Sequence, residues 1–397
     1  MSRGTIFYIG GFEMPDKNAA AMRVLANGKI LRGLGYDVVF IGIDSNRSPV
    51  LAPQRADFSG FECWSVPYPK GGRSWLKYIT GLPAILDIIR RPRDIKPVGV
   101  ICYNYPAVAS LRIRSACKRL NIKVLSDATE WYDSSGGNLI YRLIKSFDTN
   151  LRMHVVHRLS DGIITTSQYL TDFYSSKGKI TVELPTLFDV DCFSAPISRG
   201  SATLRRFIYV GSPFDADKVN RDRTNLKERL DTCVELFHSL YQKGKDFRFD
   251  VYGITLSDYL KVFPEHDAMI KLMSGKLEFH GRRPNAHVLR QIKESDFSIF
   301  FRDRTRVTLA GFPSKLAESI SVGTPVISNK MLSLQRYSQS PGVFLSERGA
   351  ELDTILALID LPNNEIDAMK FKSYQARTFH YGGHAGAVSD FLLKVGL

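Results

Sequence analysis

The segment 311–327 reads GFPSKLAESISVGTPVI and combines a turn, an amphipathic helix, a second turn and a buried strand. Gly311 and Pro313 predict the first turn, and Ser314 is the predicted N-cap of the helix. The helix ends at Gly323, and its apolar face is formed by residues at helical spacing, Leu316, Ile320 and Val322. The segment therefore predicts one helix–strand step of a parallel α/β sheet.

The start of this helix also has the features of an anion site. Backbone N–H groups at a helix N-terminus attract phosphate, and Lys315 lies beside them, after Phe312, Pro313 and Ser314. One turn later, Glu318 could accept hydrogen bonds from ribose hydroxyls. An ordinary helix of a parallel sheet with a solvated glutamate has the same pattern, so the rest of the chain must decide between these interpretations.

Composition restricts the class of protein. The chain has 397 residues, which suits two domains, and its 44% hydrophobic and 24% charged residues are typical of a globular protein. The sequence contains no apolar run of about 20 residues and no signal-peptide pattern, so we expect a soluble or peripheral protein in the cytoplasm. The five cysteines have no paired spacing and are predicted to be mostly core residues.

The net charge of +14 predicts anionic partners. The basic residues are spread over the whole chain, and no nucleic-acid recognition module is found. Phosphate-bearing small molecules or anionic lipid are therefore the expected partners, and nucleic acid is not.

Strands and helices alternate along both halves of the chain. The predicted strands of the first half lie at 5–9, 36–42, 61–66, 99–103, 123–126 and 162–165. Those of the second half lie at 206–211, 250–253, 277–281, 296–300 and 325–328. A Pro-bounded stretch without periodicity separates the halves. This rhythm predicts two doubly wound parallel-sheet domains, over 1–190 and 197–373, and a helical tail over 374–397. The carboxyl ends of the two sets of strands can face each other across a cleft, which suits an enzyme that joins two substrates.

Motifs from both halves together resemble a known family. In chain order they are Gly10-Gly11, 18–21, 34–38, 127–131, 160–167, Val210-Gly211-Ser212-Pro213, 279–282 and the opening segment. With this order and spacing the chain resembles a GT-B fold glycosyltransferase of the family 4 type, over nearly its full length. The resemblance implies two Rossmann-like domains facing across a cleft, with C-terminal helices packed back on the first domain. It also implies transfer of a sugar from a nucleotide diphosphate sugar to an acceptor hydroxyl, with retention of configuration.

The resemblance assigns most of the candidate residues. It implies donor binding by ten residues: Gly10, Gly11, Gly211, Ser212, Gly281, Phe312, Pro313, Ser314, Lys315 and Glu318. Lys227 stands at a plausible place for the phosphate lysine, although the other charges near it in sequence are typical of a solvated surface. Asn18, Thr129, Glu130 and Trp131 would lie on the acceptor side, and the alternative for Glu130 and Trp131 is a loop carboxylate and a core tryptophan.

Catalysis of this kind needs fixed positive charge near the leaving diphosphate. Lys227, Arg302 and Lys315, with the helix N-terminus, could supply it, so neither a metal nor a cofactor is expected besides the nucleotide sugar as co-substrate. Three positions depart from the family pattern. Ala310 replaces a glutamate, Ser212 replaces an arginine and Thr129 replaces a histidine, which leaves the donor sugar undefined.

The acceptor is expected to be a glycan or a lipid-linked glycan. Apolar residues at 75–79 and 82–89, followed by the basic cluster 90–93, fit docking on an anionic membrane at its inner face. A buried helix with a basic end fits this stretch equally well. Two further readings stay open: a binding or scaffold subunit that has lost turnover, and a sugar-nucleotide epimerase of the same architecture.

Overall fold

The computed structural model describes residues 2–15, 19–46, 52–69, 72–81, 83–132, 139–196, 198, 204–219, 223 and 226–397. Within these ranges the chain forms two sheets, each covered by helices on both faces. The expected α/β class with two parallel-sheet domains is confirmed.

The first sheet contains eight strands in the described part of the chain. They are β1 (Thr5–Gly10), β2 (Asp37–Asp44), β3 (Gln54–Phe58), β4 (Phe61–Pro67), β5 (Pro97–Tyr103), β6 (Lys123–Ala128), β7 (Gly162–Thr165) and β8 (Thr181–Glu183). Their order across the sheet is β3-β4-β2-β1-β5-β6-β7-β8. All neighbours are parallel except β3 and β4, which form an antiparallel pair at one edge.

The helices of the first domain cover both faces of that sheet. They are α1 (Ala19–Gly33), α2 (Gly72–Thr80), α3 (Pro83–Arg90), α4 (Ala107–Arg119), α5 (Leu139–Leu151), α6 (His157–Leu159) and α7 (Gln168–Ser175), and a π-helical turn (Arg152–Val156) joins α5 to α6. Alternate residues of β1 enter different cores. Ile6 and Tyr8 pack on the side of α1, whereas Phe7 and Ile9 pack on the side of α3 and α4.

The second sheet has six parallel strands in the described residues, ordered β11-β10-β9-β12-β13-β14. These are β9 (Arg205–Val210), β10 (Phe247–Tyr252), β11 (Leu277–Gly281), β12 (Phe297–Ile299), β13 (Val326–Asn329) and β14 (Val343–Ser346). The helices of this domain are α8 (Leu230–Gln242), α9 (Leu256–Val262), α10 (Asp267–Leu272), α11 (Asn285–Glu294), α12 (Arg306–Ala310), α13 (Ser314–Ser321), α14 (Leu332–Gln335), α15 (Glu351–Ile359) and α16 (Asn363–Ala376).

The last helix, α17 (Ala385–Val395), returns to the first domain. Its side chains Val388, Phe391, Leu392 and Val395 belong to the same core as α1 and β1. A side chain at Gly162 in β7 would come within 2.7 Å of Phe391, so the sheet and this helix are in close contact. The expectation that C-terminal helices pack back on the first domain is confirmed, whereas the exact domain boundaries stay predictions.

The helix of the opening segment is present as α13, with one correction at its start. Its first helical residue is Ser314 and its N-cap is Pro313, without a side-chain capping bond, so the prediction of Ser314 as N-cap is wrong. At its other end, Gly323 has φ +86°, and the N–H of Thr324 donates to the carbonyl of Ser319 at 2.8 Å. This left-handed glycine ends the helix as the sequence predicts.

The structure also shows where the cysteines lie and what kind of helices the chain forms. Four of the five cysteines are buried, as predicted, and Cys192 is exposed. None of the described helices has the length and apolar character that crossing a bilayer requires.

Candidate active site

A cleft of about 510 Å³ lies between the two sheets, at the carboxyl ends of their strands. Tyr103, Thr129 and Thr166 line it at the ends of β5, β6 and β7 of the first domain. Its second-domain wall follows β9, β10, β11 and β12 and continues into α13. Ligands of doubly wound sheets bind at such strand ends, so the fold itself selects this cleft as the candidate site.

Cationic side chains outnumber acidic ones in the cleft. The cations are Arg23, Lys227, Arg282, Arg283, Arg302 and Lys315, and the acids are Glu130, Glu228 and Glu318. This excess of positive charge suits a phosphorylated ligand.

A buried carboxylate organises two of these cations. Glu228 accepts hydrogen bonds from Arg302 Nη2 at 2.7 Å, from Lys315 Nζ and from the Tyr209 hydroxyl. All of these side chains are buried. Burial alone would disfavour the charged carboxylate, but the charges of Lys315 and Arg302 lower the pKa of Glu228 to about 2. Glu228 is therefore ionised at neutral pH.

The surroundings of Lys315, in contrast, favour its neutral form. Burial lowers the pKa of Lys315 to about 8, and Glu228 only partly offsets this effect. Its ammonium group lies 4.4 Å from the centre of the Tyr209 ring. Gly211, with φ +127°, passes so close that a Cβ there would lie 3.0 Å from Lys315 Nζ. The backbone conformation therefore favours glycine at this position, and the missing side chain lets the lysine approach closely.

Arg302 has one guanidinium nitrogen that is unpaired among the described residues. Its Nε and Nη2 bond to Glu228, whereas its buried Nη1 has no hydrogen-bond partner among the described residues. Its backbone is fixed against the end of β13, since its N–H donates to Asn329 Oδ1 at 3.0 Å and its carbonyl accepts from Asn329 Nδ2 at 2.8 Å. A buried guanidinium with an unpaired nitrogen suits an anionic oxygen.

Glu318 lies one turn along α13 and lines the same cleft. Burial raises its pKa, and the charge of Lys315 opposes that rise. Phe312, Ser314 and Ser212 also line the cleft, and the Ser212 hydroxyl donates to the carbonyl of Phe214 at 3.1 Å. The cleft therefore brings together most of the second-domain residues that the sequence analysis predicted to be functional.

Lys227 reaches across the cleft to the first domain. Its ammonium group lies 3.1 Å from Glu130 Oε1, and both side chains are partly exposed. The predicted phosphate lysine and the predicted acceptor-side carboxylate are therefore neighbours and share an ion pair between the domains.

Several predicted residues lie elsewhere. Trp131 is buried and packs edge-on against Phe173, with ring centres 5.1 Å apart, which agrees with the core interpretation, and it is not among the residues that line the cleft. Gly10 is also outside the lining, and a Cβ there would lie 2.8 Å from Tyr103, so packing between β1 and β5 explains this glycine. Gly11 is exposed, and a Cβ there would have no described atom within 4 Å. Asn18 lies outside the described residues.

Two more positions of the predicted donor site lie in the turns beside the cleft. Pro313 is buried as the N-cap of α13. Gly281 has φ +64° at the end of β11, where its carbonyl accepts from the N–H of Gly253 at 2.8 Å. Neither is among the residues that line the cleft, and both instead shape the turns that present it.

Ala310 has an environment that the sequence did not indicate. It is fully buried in an apolar cluster with first-domain residues, among them Trp131, Leu170 and Tyr174. Its carbonyl accepts a hydrogen bond from Ser167 Oγ at 2.8 Å. A carboxylate at this position would be buried among apolar groups, which explains why alanine suits this arrangement of the domains.

The first-domain wall contains a second buried ion pair. Arg23 Nη2 lies 2.7 Å from Asp127 Oδ1, and Arg23 Nη1 donates to the carbonyls of Leu184 and Pro185. Asp127 also accepts from the Tyr8 hydroxyl at 2.6 Å. These contacts fix α1 and the strand that leads to Thr129. Sequence reasoning did not single out Arg23 because its partners are distant along the chain.

Among the described residues, two groups of side chains could hold a cation, and neither is part of the cleft lining. They are Asp189, Asp191 and His380, and Asp250, Glu278 and His280. Their carboxylates already pair with cations, for example Asp189 with Lys29 at 2.6 Å and Asp250 with Arg248 at 3.0 Å.

Solved structures show what this architecture is similar to. Sucrose-phosphate synthase from Thermosynechococcus elongatus matches with a TM-score of 0.69 and 12% identity over 99% of each chain. The catalytic domain of starch synthase IV from Arabidopsis thaliana, bound to ADP and acarbose, matches with a TM-score of 0.69 and 10% identity over the whole of each chain. Anabaena HepE in complex with UDP and glucose matches with a TM-score of 0.63 and 12% identity, over 98% of this chain and 100% of that one.

At these identities the likeness shows the fold. The chain has the GT-B architecture of these glycosyltransferases. No protein-family model matches the sequence, and no curated protein matches it either.

Proposed function

We propose that the protein is a glycosyltransferase that moves a sugar from a nucleotide diphosphate sugar to an acceptor hydroxyl. The observation that carries the proposal is the buried Arg302, which lines the cleft with one guanidinium nitrogen unpaired among the described residues. Together with Lys315 and the N-terminus of α13, it offers fixed positive charge to a diphosphate. Glu318 would accept hydrogen bonds from the ribose hydroxyls.

In the proposed reaction the bond between the anomeric carbon and the diphosphate oxygen breaks while the acceptor oxygen bonds to that carbon. The acceptor would attack on the face that the leaving diphosphate occupies, and the acceptor proton would pass to the departing phosphate oxygen, so the configuration is retained. Lys227, Arg302 and Lys315 would stabilise the charge that develops on the diphosphate. Because these cations belong to the protein, we propose that the transfer needs no divalent metal.

Retention, membership of the family 4 type and the choice of acceptor are the finer parts of the proposal. Asn18, Thr129 and Glu130 would face the acceptor, a glycan or a lipid-linked glycan. We place this activity in the assembly of surface polysaccharide or glycolipid, in the cytoplasm and at the inner face of the cell membrane.

The test begins with thermal shift against UDP, GDP, ADP and TDP sugars, since a ligand of the folded state raises its apparent stability. We expect a rise in Tm with one nucleotide class. Lys315→Ala and Glu318→Ala should reduce both that rise and the rate of transfer, whereas Lys330→Ala, which removes a surface lysine paired with Glu347, should change neither. Nucleotide binding with unchanged turnover in both cleft variants would refute the catalytic assignment.

NMR of the first-formed product tests retention, and an inverted anomer would exclude it. Addition of EDTA tests the role of a metal, and we expect an unchanged rate.

The buried Ala310 favours a second candidate, a subunit of the same fold that binds the nucleotide sugar without turnover. Its position lacks the carboxylate that the family pattern places near the donor sugar. Binding of a nucleotide sugar with neither transfer nor hydrolysis, across a panel of donors and acceptors, would favour this candidate over the transferase.

A further inference from the structure

The helical segment 139–159 carries apolar side chains on its outer face. It consists of α5, the π-helical turn and α6 without interruption. The apolar stripe is formed by exposed side chains at helical spacing: Ile140, Leu143, Ile144, Phe147, Val155 and Leu159. The first four are 50–70% exposed. Helices of globular proteins normally turn such a face towards the core, and an exposed apolar patch marks an interaction surface.

From Asp148 onward the opposite face of the segment is packed on the domain, whereas none of the described side chains of 140–147 is buried. Met153 belongs to an apolar cluster with Leu170 and Tyr174 of α7. His157 is buried, and its Nδ1 lies 2.7 Å from the Tyr174 hydroxyl. Near the middle of the segment, Asp148 accepts the N–H of Ala107 at 2.7 Å and so joins α5 to the start of α4.

Basic side chains are frequent on the segment itself and on its neighbour α4. α4 packs beside α5, and the lysines and arginines of these elements that are not buried are Arg112, Arg114, Lys118, Arg119, Arg142, Lys145 and Arg158. Asp148 is the single acidic residue in the sequence of α4 and of 139–159. Its carboxylate is already engaged by Ala107 and lies 3.6 Å from Arg152. The stripe therefore belongs to a strongly basic part of the first domain, and Arg114, whose Nε donates to the carbonyl of Leu159 at 2.7 Å, lies beside its end.

We propose that the apolar stripe docks the protein on a bilayer that contains anionic lipid. The aliphatic and aromatic side chains would enter the boundary between headgroups and acyl chains, and the flanking lysines and arginines would contact the anionic headgroups. A second copy of the chain fits less well. Two-fold pairing of this face would bring two strongly basic surfaces together, and like charges across an interface oppose association.

This surface differs from the one that the sequence suggested. Ile85, Ile88 and Ile89 of α3 are core residues, Arg93 pairs with Glu62 at 2.6 Å, and so the buried-helix interpretation is correct for α3. Trp75 and Leu76 of α2 are exposed, as docking would require, and α2 packs on α4.

Docking by the apolar stripe is a property additional to the proposed function, and the place of the stripe in the first domain is compatible with that function. In the chain, α5 follows shortly after Thr129 and Glu130, which line the cleft. A protein held by this face would keep that side of the cleft near the leaflet, where a lipid-linked acceptor has its headgroup. Docking can be measured without turnover, so its failure is distinguishable from failure of the proposed transfer.

Vesicle flotation of the full chain tests the proposal, with phosphatidylcholine vesicles with and without phosphatidylglycerol. We expect binding that requires phosphatidylglycerol and weakens with added salt. The double variant Leu143→Asp, Phe147→Asp should lower the partition coefficient by about tenfold or more. The matched control is Leu393→Asp, Phe371→Asp, which changes side chains 63% and 49% exposed on α17 and α16 and should bind as the unchanged chain does.

Three results would overturn the proposal: no flotation with phosphatidylglycerol, equal binding to both vesicle types, or equal loss in the two double variants. A fourth would be self-association in place of vesicle binding. In that case the unchanged chain would not bind vesicles, ultracentrifugation would show a concentration-dependent dimer, and the Leu143→Asp, Phe147→Asp variant would abolish that dimer. As an independent measurement, Phe147→Trp should bind normally, and brominated acyl chains should quench its fluorescence beyond that of the wild-type chain. Absence of that additional quenching would also contradict insertion of the stripe.

Discussion

At the scale of single residues, Glu228 decides the electrostatics of the cleft. It neutralises one of the two buried cations that contact it, so the group formed with Arg302 and Lys315 carries one net positive charge. The sequence predicted Lys315 and Glu318 because both lie on a patterned helix. Glu228 gave no such signal, since a glutamate between two basic residues before a helix is typical of a solvated surface. Its partners are brought to it only by the fold.

The first prediction concerns the counter-ion itself. Glu228→Gln leaves two buried cations side by side, and we expect a loss of about 3 kcal/mol in the free energy of unfolding, measured with urea at pH 7. Because the folded-state pKa of Glu228 lies near 2, below its ordinary value of 4.5, its contribution is complete above pH 4.5 and is lost as the pH falls towards 2. The variant should lack this part of the acid dependence.

A surface pair supplies the control for that measurement. Glu347→Gln removes the partner of Lys330, 2.6 Å away, where both side chains are well exposed, and should change stability by about 1 kcal/mol or less. Similar losses in the two variants would contradict the central role of Glu228.

The second prediction concerns pH and ligand binding. Burial lowers the pKa of Lys315 to about 8 in the free protein, and a bound diphosphate would favour the charged form. The affinity for a nucleoside diphosphate should therefore be highest below pH 8 and fall as the pH rises through it. Titration calorimetry from about 1.5 pH units below that pKa to about 1.5 above it measures this. Lys315→Arg should remove the dependence, because arginine stays charged, and a flat profile in the unchanged protein would contradict the prediction.

At the scale of elements, patterned segments were predicted and unpatterned ones were missed. The strands β1, β7 and β11 lie where apolar runs or turn signals place them. β3 was missed because its exposed sequence QRADF has no apolar face, and its antiparallel pairing at the sheet edge is a tertiary effect. β8 was missed because its three residues contain a single apolar side chain, Val182, and the four-residue β14 was missed as well.

The end of α13 gives the third prediction. A Cβ at Gly323 would lie 2.4 Å from Pro196 and 2.9 Å from the Lys370 carbonyl, and its φ of +86° is costly for alanine. Gly323→Ala should therefore lower the free energy of unfolding by about 3 kcal/mol. Gly178→Ala is the control, because Gly178 has φ +69° with open space around it and should cost about 1 kcal/mol from the backbone alone. Equal losses in urea unfolding would show that the close contacts of Gly323 contribute nothing.

At the scale of the whole molecule, the relation between the domains was the part that the sequence could not supply. Two sheets and a cleft followed from the rhythm of strands and helices. The burial of Ala310 among first-domain side chains did not, because nothing in the sequence around it indicates that α12 packs on α7. In the sequence, Ala310 stands where the family pattern has a glutamate that contacts the donor sugar. In the folded chain it is also part of the surface that joins the domains.

The last prediction separates a role in holding the domains together from a role in binding. Glu130 and Lys227 form the ion pair across the cleft, with side chains 36% and 46% exposed, so their coupling energy in a double-mutant cycle of unfolding should be about 1 kcal/mol or less. Nucleotide affinity should respond with opposite signs. Lys227→Ala should weaken binding about tenfold by removing a phosphate cation, whereas Glu130→Gln should leave it equal or tighter, because it releases the lysine towards the ligand. Titration calorimetry on both variants measures this, and weaker binding in Glu130→Gln would mean that the ion pair itself positions the site.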